Sequence, residues 1–187
     1  MTAASRDPSE FVTQLTREPL GWTQPHRFRR GWELWNGQSR IATLEPMSRV
    51  TLRLLRNLRL VMRSPGGDWD LVQRWNGFDL RRAGEERALV EFRGLFNLLT
   101  TRGRVTVGAD QLTWTIRFHG FRRASYELLN ASDFPLLRVQ PKRSFLRSTG
   151  TITIEDAGRR HPQIEALTMF AWGLAISQLR NRGTFAT

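Results

Sequence analysis

The chain has 187 residues, 29 basic and 17 acidic, for a net charge of +12, and it contains no cysteine. This length supports one domain or at most a small second one. The missing cysteine excludes a disulfide framework, a thiolate metal site and a thiol nucleophile, and the excess positive charge favours an anionic partner: nucleic acid, anionic lipid or an acidic protein.

In chain order, "MTAASRDPSEFVTQL" lacks a basic start followed by an apolar run, so no secretory signal is read from it. Asp7 suits a helix N-cap, Pro8 the first helical position and Glu10 the site three residues past the cap. Phe11, Val12 and Leu15 then share a face. Residues 1–22 are therefore predicted as a short helix and lead-in packed outside the main domain, 23–187.

From about Arg27 to Glu155 the pattern is two-fold. In "TWTIRFHGF", Trp114, Ile116 and Phe118 point one way while Thr115, Arg117 and His119 point the other. Ile152 and Ile154 alternate in the same manner. Gly108, Ala109 and Asp110 read as a turn between strands, as do "SPGGD" at 64–68 and "WNG" at 35–37 and 75–77. Three tripeptides, "WEL" from Trp32, "FDL" from Phe78 and "YEL" from Tyr126, stand 46 and 48 residues apart. Each is followed by a polar turn and a returning apolar stretch, at Ile41, Ala88 and Pro135. They read as three similar hairpins of one antiparallel meander. Strand and turn over this region, at roughly 11 residues per strand and connection, predict on the order of a dozen strands. A sheet of that size closes to remove its edges.

The segment "RVTLRLLRNLRLVMR", residues 49–63, has two readings. As a helix it gathers Arg49, Arg53, Arg56, Arg59 and Arg63 on one side. As two strands it turns Val50, Leu52, Leu54, Leu58, Leu60 and Met62 inward and leaves Arg53, Arg59 and Arg63 outside. The surrounding repeat favours strands. Further basic clusters are Arg27, Arg29 and Arg30; Arg81 and Arg82; Arg122 and Arg123; Lys142, Arg143 and Arg147; and Arg159 and Arg160. Arg49, Arg53, Arg56, Arg59, Arg63, Arg122, Arg123, Arg143 and Arg147 form the candidate anion-binding set, since guanidinium suits bidentate phosphate recognition.

Catalytic chemistry is not expected. His26, His119 and His161 stand at no metal-ligand spacing, and neither a phosphate-cradling glycine loop nor a nucleophile elbow occurs. Glu85 and Glu86 in "RRAGEERA" are expected to pair with the flanking arginines. No cofactor and no metal is called for.

The chain closes on "IEALTMFAWGLAISQLRNR", in which Ala166 to Leu179 are fourteen uncharged residues. Pro162 suits the first turn, Glu165 the positive end, and Arg180 and Arg182 the negative end of a helix at about 162–181. Its apolar residues go all the way round, so it is buried in protein or lipid. The run is shorter than the ~20 apolar residues of a membrane span, which favours a core helix. A helix about 10 Å across needs a container wider than eight strands. The predicted fold is mainly β: a closed antiparallel barrel of about a dozen strands around a buried C-terminal α-helix.

This layout resembles the tubby-like superfamily, which includes tubby C-terminal domains, phospholipid scramblases and LURP-one-related proteins. The "WEL", "FDL" and "YELLNASDFPLLRV" hairpins and the final "IEALTMFAWGLAISQL" carry the resemblance over about residues 27–182. It implies a non-enzymatic barrel, in some members binding phosphoinositides through basic surface residues. Scramblases add a cysteine-rich stretch, so scrambling does not carry over. The expected function is binding of phospholipid headgroups through an Arg-rich face, by a cytoplasmic protein loosely associated with membranes. Nucleic-acid binding and scaffolding of an acidic protein are the alternatives. Exposed aromatics between arginines would favour nucleic acid, and a smooth basic face would favour lipid.

Overall fold

The alternation of apolar and polar residues becomes one continuous sheet. The structure is a computed structural model and describes residues 13, 15, 19–25, 31–47, 59–96, 101–119, 123–143 and 148–183. Twelve strands follow in order: β1 (Leu20–Thr23), β2 (Trp32–Asn36), β3 (Ser39–Pro46), β4 (Arg59–Ser64), β5 (Gly67–Arg74), β6 (Gly77–Arg82), β7 (Val90–Phe96), β8 (Thr101–Val107), β9 (Asp110–His119), β10 (Arg123–Leu129), β11 (Pro135–Arg143) and β12 (Ser148–Ile154). Each pairs antiparallel with the next. β12 pairs back onto β1, from Leu20↔Ile152 to Thr23↔Thr149, so the meander closes into a barrel without an edge. Two helices follow, α1 (Asp156–Arg159) and α2 (Ile164–Gly183).

An all-antiparallel ring has two distinct ends. The proximal end, where α2 begins, collects the finishes of the even-numbered strands and the starts of the odd ones after β1's lead-in. The distal end collects the finishes of the odd-numbered strands and the starts of the even ones. The 20 residues of α2 give it a length of about 30 Å, enough to run from one end toward the other.

Alternation sets what faces inward. Leu60 and Met62 on β4, Trp69 and Leu71 on β5, Phe78 and Leu80 on β6, and Phe92 on β7 are all buried. From Ile164 to Gln178 every residue of α2 is buried except Glu165, which is half-buried. The helix packs on β4 to β7 and also on β11, and β5 and β11 stand six strands apart in a ring of twelve. It therefore lies inside the barrel, the only place where a helix apolar on every side is shielded all round. Phe170 meets Phe92 and Trp114 at centroid separations of 6.4 Å each, and Trp114 stacks on Tyr126 at 5.6 Å. A Cβ at Gly173 would stand 2.8 Å from Leu71 Cδ2, so glycine lets the helix approach β5 closely. Gly108, at φ 58°, supports the β8–β9 turn.

The repeat acquires a structural meaning. Its three tripeptides fall on β2, β6 and β10, four strands apart, each beginning a hairpin. In each, the aromatic residue and the Leu face the core while the acid faces out: Trp32, Glu33, Leu34; Phe78, Asp79, Leu80; Tyr126, Glu127, Leu128. An arginine of the returning strand pairs with each acid, Arg40 with Glu33, Arg93 with Asp79 and Arg138 with Glu127.

Several expectations shift. Strand β1 lies in the predicted lead-in and closes the barrel. Leu15 is helical and fully buried in the main hydrophobic cluster, while residues 1–12 with Asp7, Pro8 and Glu10 lie outside the described residues. The final helix begins at Ile164 and includes Gly183, which leaves Pro162 in the preceding turn. The short α1 carries no apolar periodicity from which to read it. Of residues 49–63, Arg59 onward is a strand with Leu60 and Met62 inside, and residues 49–58 lie outside the described residues. Among the described residues no helix is long and apolar enough to cross a membrane.

Candidate anion-binding surface

The barrel's outer face is laid out by the same two-fold pattern, and much of its arginine is consumed there by carboxylates. Asp79, 5% exposed, accepts hydrogen bonds from Arg74 Nε at 2.8 Å and Arg93 Nη1 at 2.7 Å, with Arg81 Nη2 at 3.7 Å. Burial opposes its charge, but the two arginine hydrogen bonds outweigh burial and hold the carboxyl below its usual range. Glu127, 2% exposed, lies 2.7 Å from Arg117 Nε and accepts a hydrogen bond from Arg138 Nε at 3.1 Å. Arg59 donates to Asp70, and that hydrogen bond raises the guanidinium further. These arginines cover acids that would otherwise be stranded under the surface.

At the proximal end, pairing extends to the helix. Arg82 stacks over Trp69 at 3.7 Å, donates to the Gly66 carbonyl and reaches Glu165 Oε2 at 3.5 Å. Burial pushes the Glu165 carboxyl up, and Arg82 only partly restores its charge. His161 Nε2 stands 3.4 Å from Asp110 Oδ2, while its Nδ1 accepts the Gln163 N–H. Glu85 and Glu86 are exposed and pair with neither Arg81 nor Arg82, contrary to expectation, because Arg81 turns to Asp79 and Arg82 to Glu165.

The distal end differs. On four neighbouring strands it presents Arg102 near the start of β8, Arg117 near the finish of β9, Arg123 at the start of β10, and Lys142 and Arg143 at the finish of β11. Among the described residues no carboxylate lies at the distal ends of these four strands. Arg102 and Lys142 are exposed and have no carboxylate partner among the described residues. Arg104, two positions on from Arg102, faces Arg93 across the β7–β8 pair, where like charges repel. Arg93 is held by Asp79 and Glu91, while Arg104 is exposed without such a partner among the described residues. In sequence, the stretches after β1, β3, β5, β7, β9 and β11, together with residues 184–187, contain none of the chain's 17 acids.

The structure divides the candidate set. Arg59 and Arg63 lie on β4, and Arg123 and Arg143 on β10 and β11, across the ring. Arg59 is committed to Asp70, and Arg63 sits at the far end of its strand, toward the proximal side. Arg49, Arg53, Arg56, Arg122 and Arg147 lie outside the described residues. Reading by clusters missed Arg102 and Arg104, whose signal is their alternation with Gly103 and Val105 in "TRGRV". Among the described residues no three His, Asp or Glu side chains gather as metal ligands. Comparison with models of protein families, with curated proteins and with solved structures finds no match.

Proposed function

We propose that the protein is a non-enzymatic barrel that docks through its distal end on an anionic surface, the phospholipid headgroups of a membrane. The carrying observation is that Arg102, Arg123, Lys142 and Arg143 stand at the distal ends of β8, β10 and β11, which hold no carboxylate among the described residues, while Arg117 between them is engaged by Glu127. Arg102 and Lys142, exposed and without a carboxylate partner among the described residues, are left to attract an external anion. Each contributes about 1 kcal/mol beside an anionic leaflet. Their place at strand ends offers a rim rather than a groove, which suits a surface. A barrel filled by its own helix agrees with the resemblance to the tubby-like superfamily, and membership is part of this proposal. So is a cytoplasmic, peripherally membrane-bound location.

One observation favours nucleic acid as a second reading: Trp75 and Phe118 are exposed next to Arg74 and Arg117, where bases would stack. Co-sedimentation separates the two. The parent is expected to bind phosphatidylcholine vesicles only when they also contain phosphatidylglycerol, with a steep loss as salt rises. Replacing Arg102, Arg123, Lys142 and Arg143 by Gln together is expected to weaken this binding by more than about tenfold. Equal binding by parent and variant would defeat the assignment to this rim. Tighter binding of single-stranded or duplex nucleic acid at the same ionic strength would put the second reading first.

A further inference from the structure

The distal end is apolar as well as basic. Four large apolar side chains among the described residues are strongly exposed: Met47 at 58%, Trp75 at 85%, Phe118 at 61% and Phe134 at 64%. Three of them share the distal end. Met47 follows β3, Trp75 occupies the β5–β6 turn, and Phe118 is the penultimate residue of β9. Phe134 alone belongs to the proximal end, in the β10–β11 turn. Phe118 continues the inward parity of Trp114 and Ile116, yet it is exposed because β9 carries it to the distal finish of the strand.

Their arrangement matters more than their number. The three sit at the distal finishes of β3, β5 and β9, spread round a closed ring of twelve strands whose diameter is on the order of 20 Å. Points spread round a rim define a plane. An extended nucleic-acid strand follows a track, and a peptide fills a groove, so neither touches all three at once as readily as a flat sheet of lipid. Tryptophan has an apolar body and an N–H donor, the combination suited to the boundary between headgroups and acyl chains. The basic arc of β8 to β11 lies on the same rim, where phosphates would meet it.

We infer that the barrel stands end-on upon the anionic leaflet, with Trp75, Phe118 and Met47 entering the headgroup boundary and the start of α2 pointing away from the membrane. This rests on reading the distal end as lipid-facing, and it adds an orientation and a depth. Side-on docking would put the paired outer face, with its buried Asp79 and Glu127, against the phosphates instead.

Trp75 supplies its own probe. Trp22, Trp32, Trp69, Trp114 and Trp172 are buried and Trp35 is half-buried, so Trp75 dominates quenching by aqueous acrylamide. The difference between the parent and Trp75→Phe isolates its emission. With vesicles of phosphatidylcholine and phosphatidylglycerol, that difference signal is expected to shift to the blue, lose at least about threefold in acrylamide quenching, and be quenched by shallowly brominated acyl chains. The double variant Trp75→Ala, Phe118→Ser is expected to bind these vesicles several-fold more weakly while remaining folded. Vesicle binding with Trp75 as open to acrylamide as in buffer would overturn the end-on orientation and leave lipid binding standing. Absence of any binding to the anionic vesicles would overturn both. Protection of Trp75 by single-stranded nucleic acid but not by vesicles would overturn both in favour of a stacking site.

Discussion

The two ends of the barrel use arginine in opposite ways. At the proximal end Arg82, Arg159 and His161 each stand near an acid, Glu165, Asp156 and Asp110, and these contacts fasten the start of the helix and the turns around it. At the distal end Arg102, Arg123, Lys142 and Arg143 occupy strand ends that hold no carboxylate among the described residues. Net charge therefore understates the difference. This contrast gives the fold a direction, and the proposed docking surface lies at the end where β8 to β11 hold no carboxylate among the described residues.

If the proximal end and the core behind it are structural, changes there should cost stability, whereas changes to the rim should cost binding alone. The largest effect is expected on removing α2. Truncation after Arg160 leaves the inward side chains of twelve strands around an empty channel, so cooperative unfolding should vanish in circular dichroism. Trp172→Ala, at a fully buried site, should lower stability by about 3–5 kcal/mol in denaturant titration. A truncated chain that still unfolds cooperatively would place the core elsewhere.

A smaller loss tests the outer face between the ends. Asp79→Asn should cost about 2 kcal/mol at neutral pH, because it weakens charge-assisted bonds from Arg74 and Arg93 at a buried site. The folded carboxyl titrates below its ordinary value, so its contribution is present above that value and is lost as pH falls through the lower folded one. The gap between parent and variant should close in strong acid. A gap independent of pH would mean that packing, not charge, was removed.

Glu165→Gln should show the opposite sign. Burial raises this carboxyl, so the stability from holding its proton is present below the ordinary Glu value and is lost as pH rises through the raised one. The variant mimics the protonated form. It should match the parent in acid and equal or exceed it at neutral pH, by less than about 1 kcal/mol. Destabilisation by Gln at neutral pH would show that the Arg82 contact outweighs burial. Least of all, the fourfold Gln variant of Arg102, Arg123, Lys142 and Arg143 should shift stability by under about 0.5 kcal/mol, as surface changes do. A large loss would contradict the contrast between the ends.

Particular residues show how far the sequence was legible. The segment around Arg59 to Arg63 fitted a basic helix as well as strands, and the surrounding repeat favoured strands; once it is a strand, its local period places Leu60 and Met62 inside and Arg59 and Arg63 outside. The all-round apolar character of Ile164 to Ile176 predicted a helix inside a wide barrel, because no one-sided contact could bury it. Arginine's partners were less legible. Arg93 meets an acid fourteen residues away and Arg82 one eighty-three away, distances that register and closure determine. Phe118 had the right parity for the core but the wrong height along the barrel.

By itself the sequence determined the class of the fold, the strand count and the buried helix. Each follows from hydrophobic period and length, which are properties of short segments. Tertiary structure alone decided which cations remain without a carboxylate and which exposed aromatics share their end. Closing the ring brings strand ends together from Thr23 to Ser148, and electrostatic and surface contacts act through space, without regard to separation along the chain.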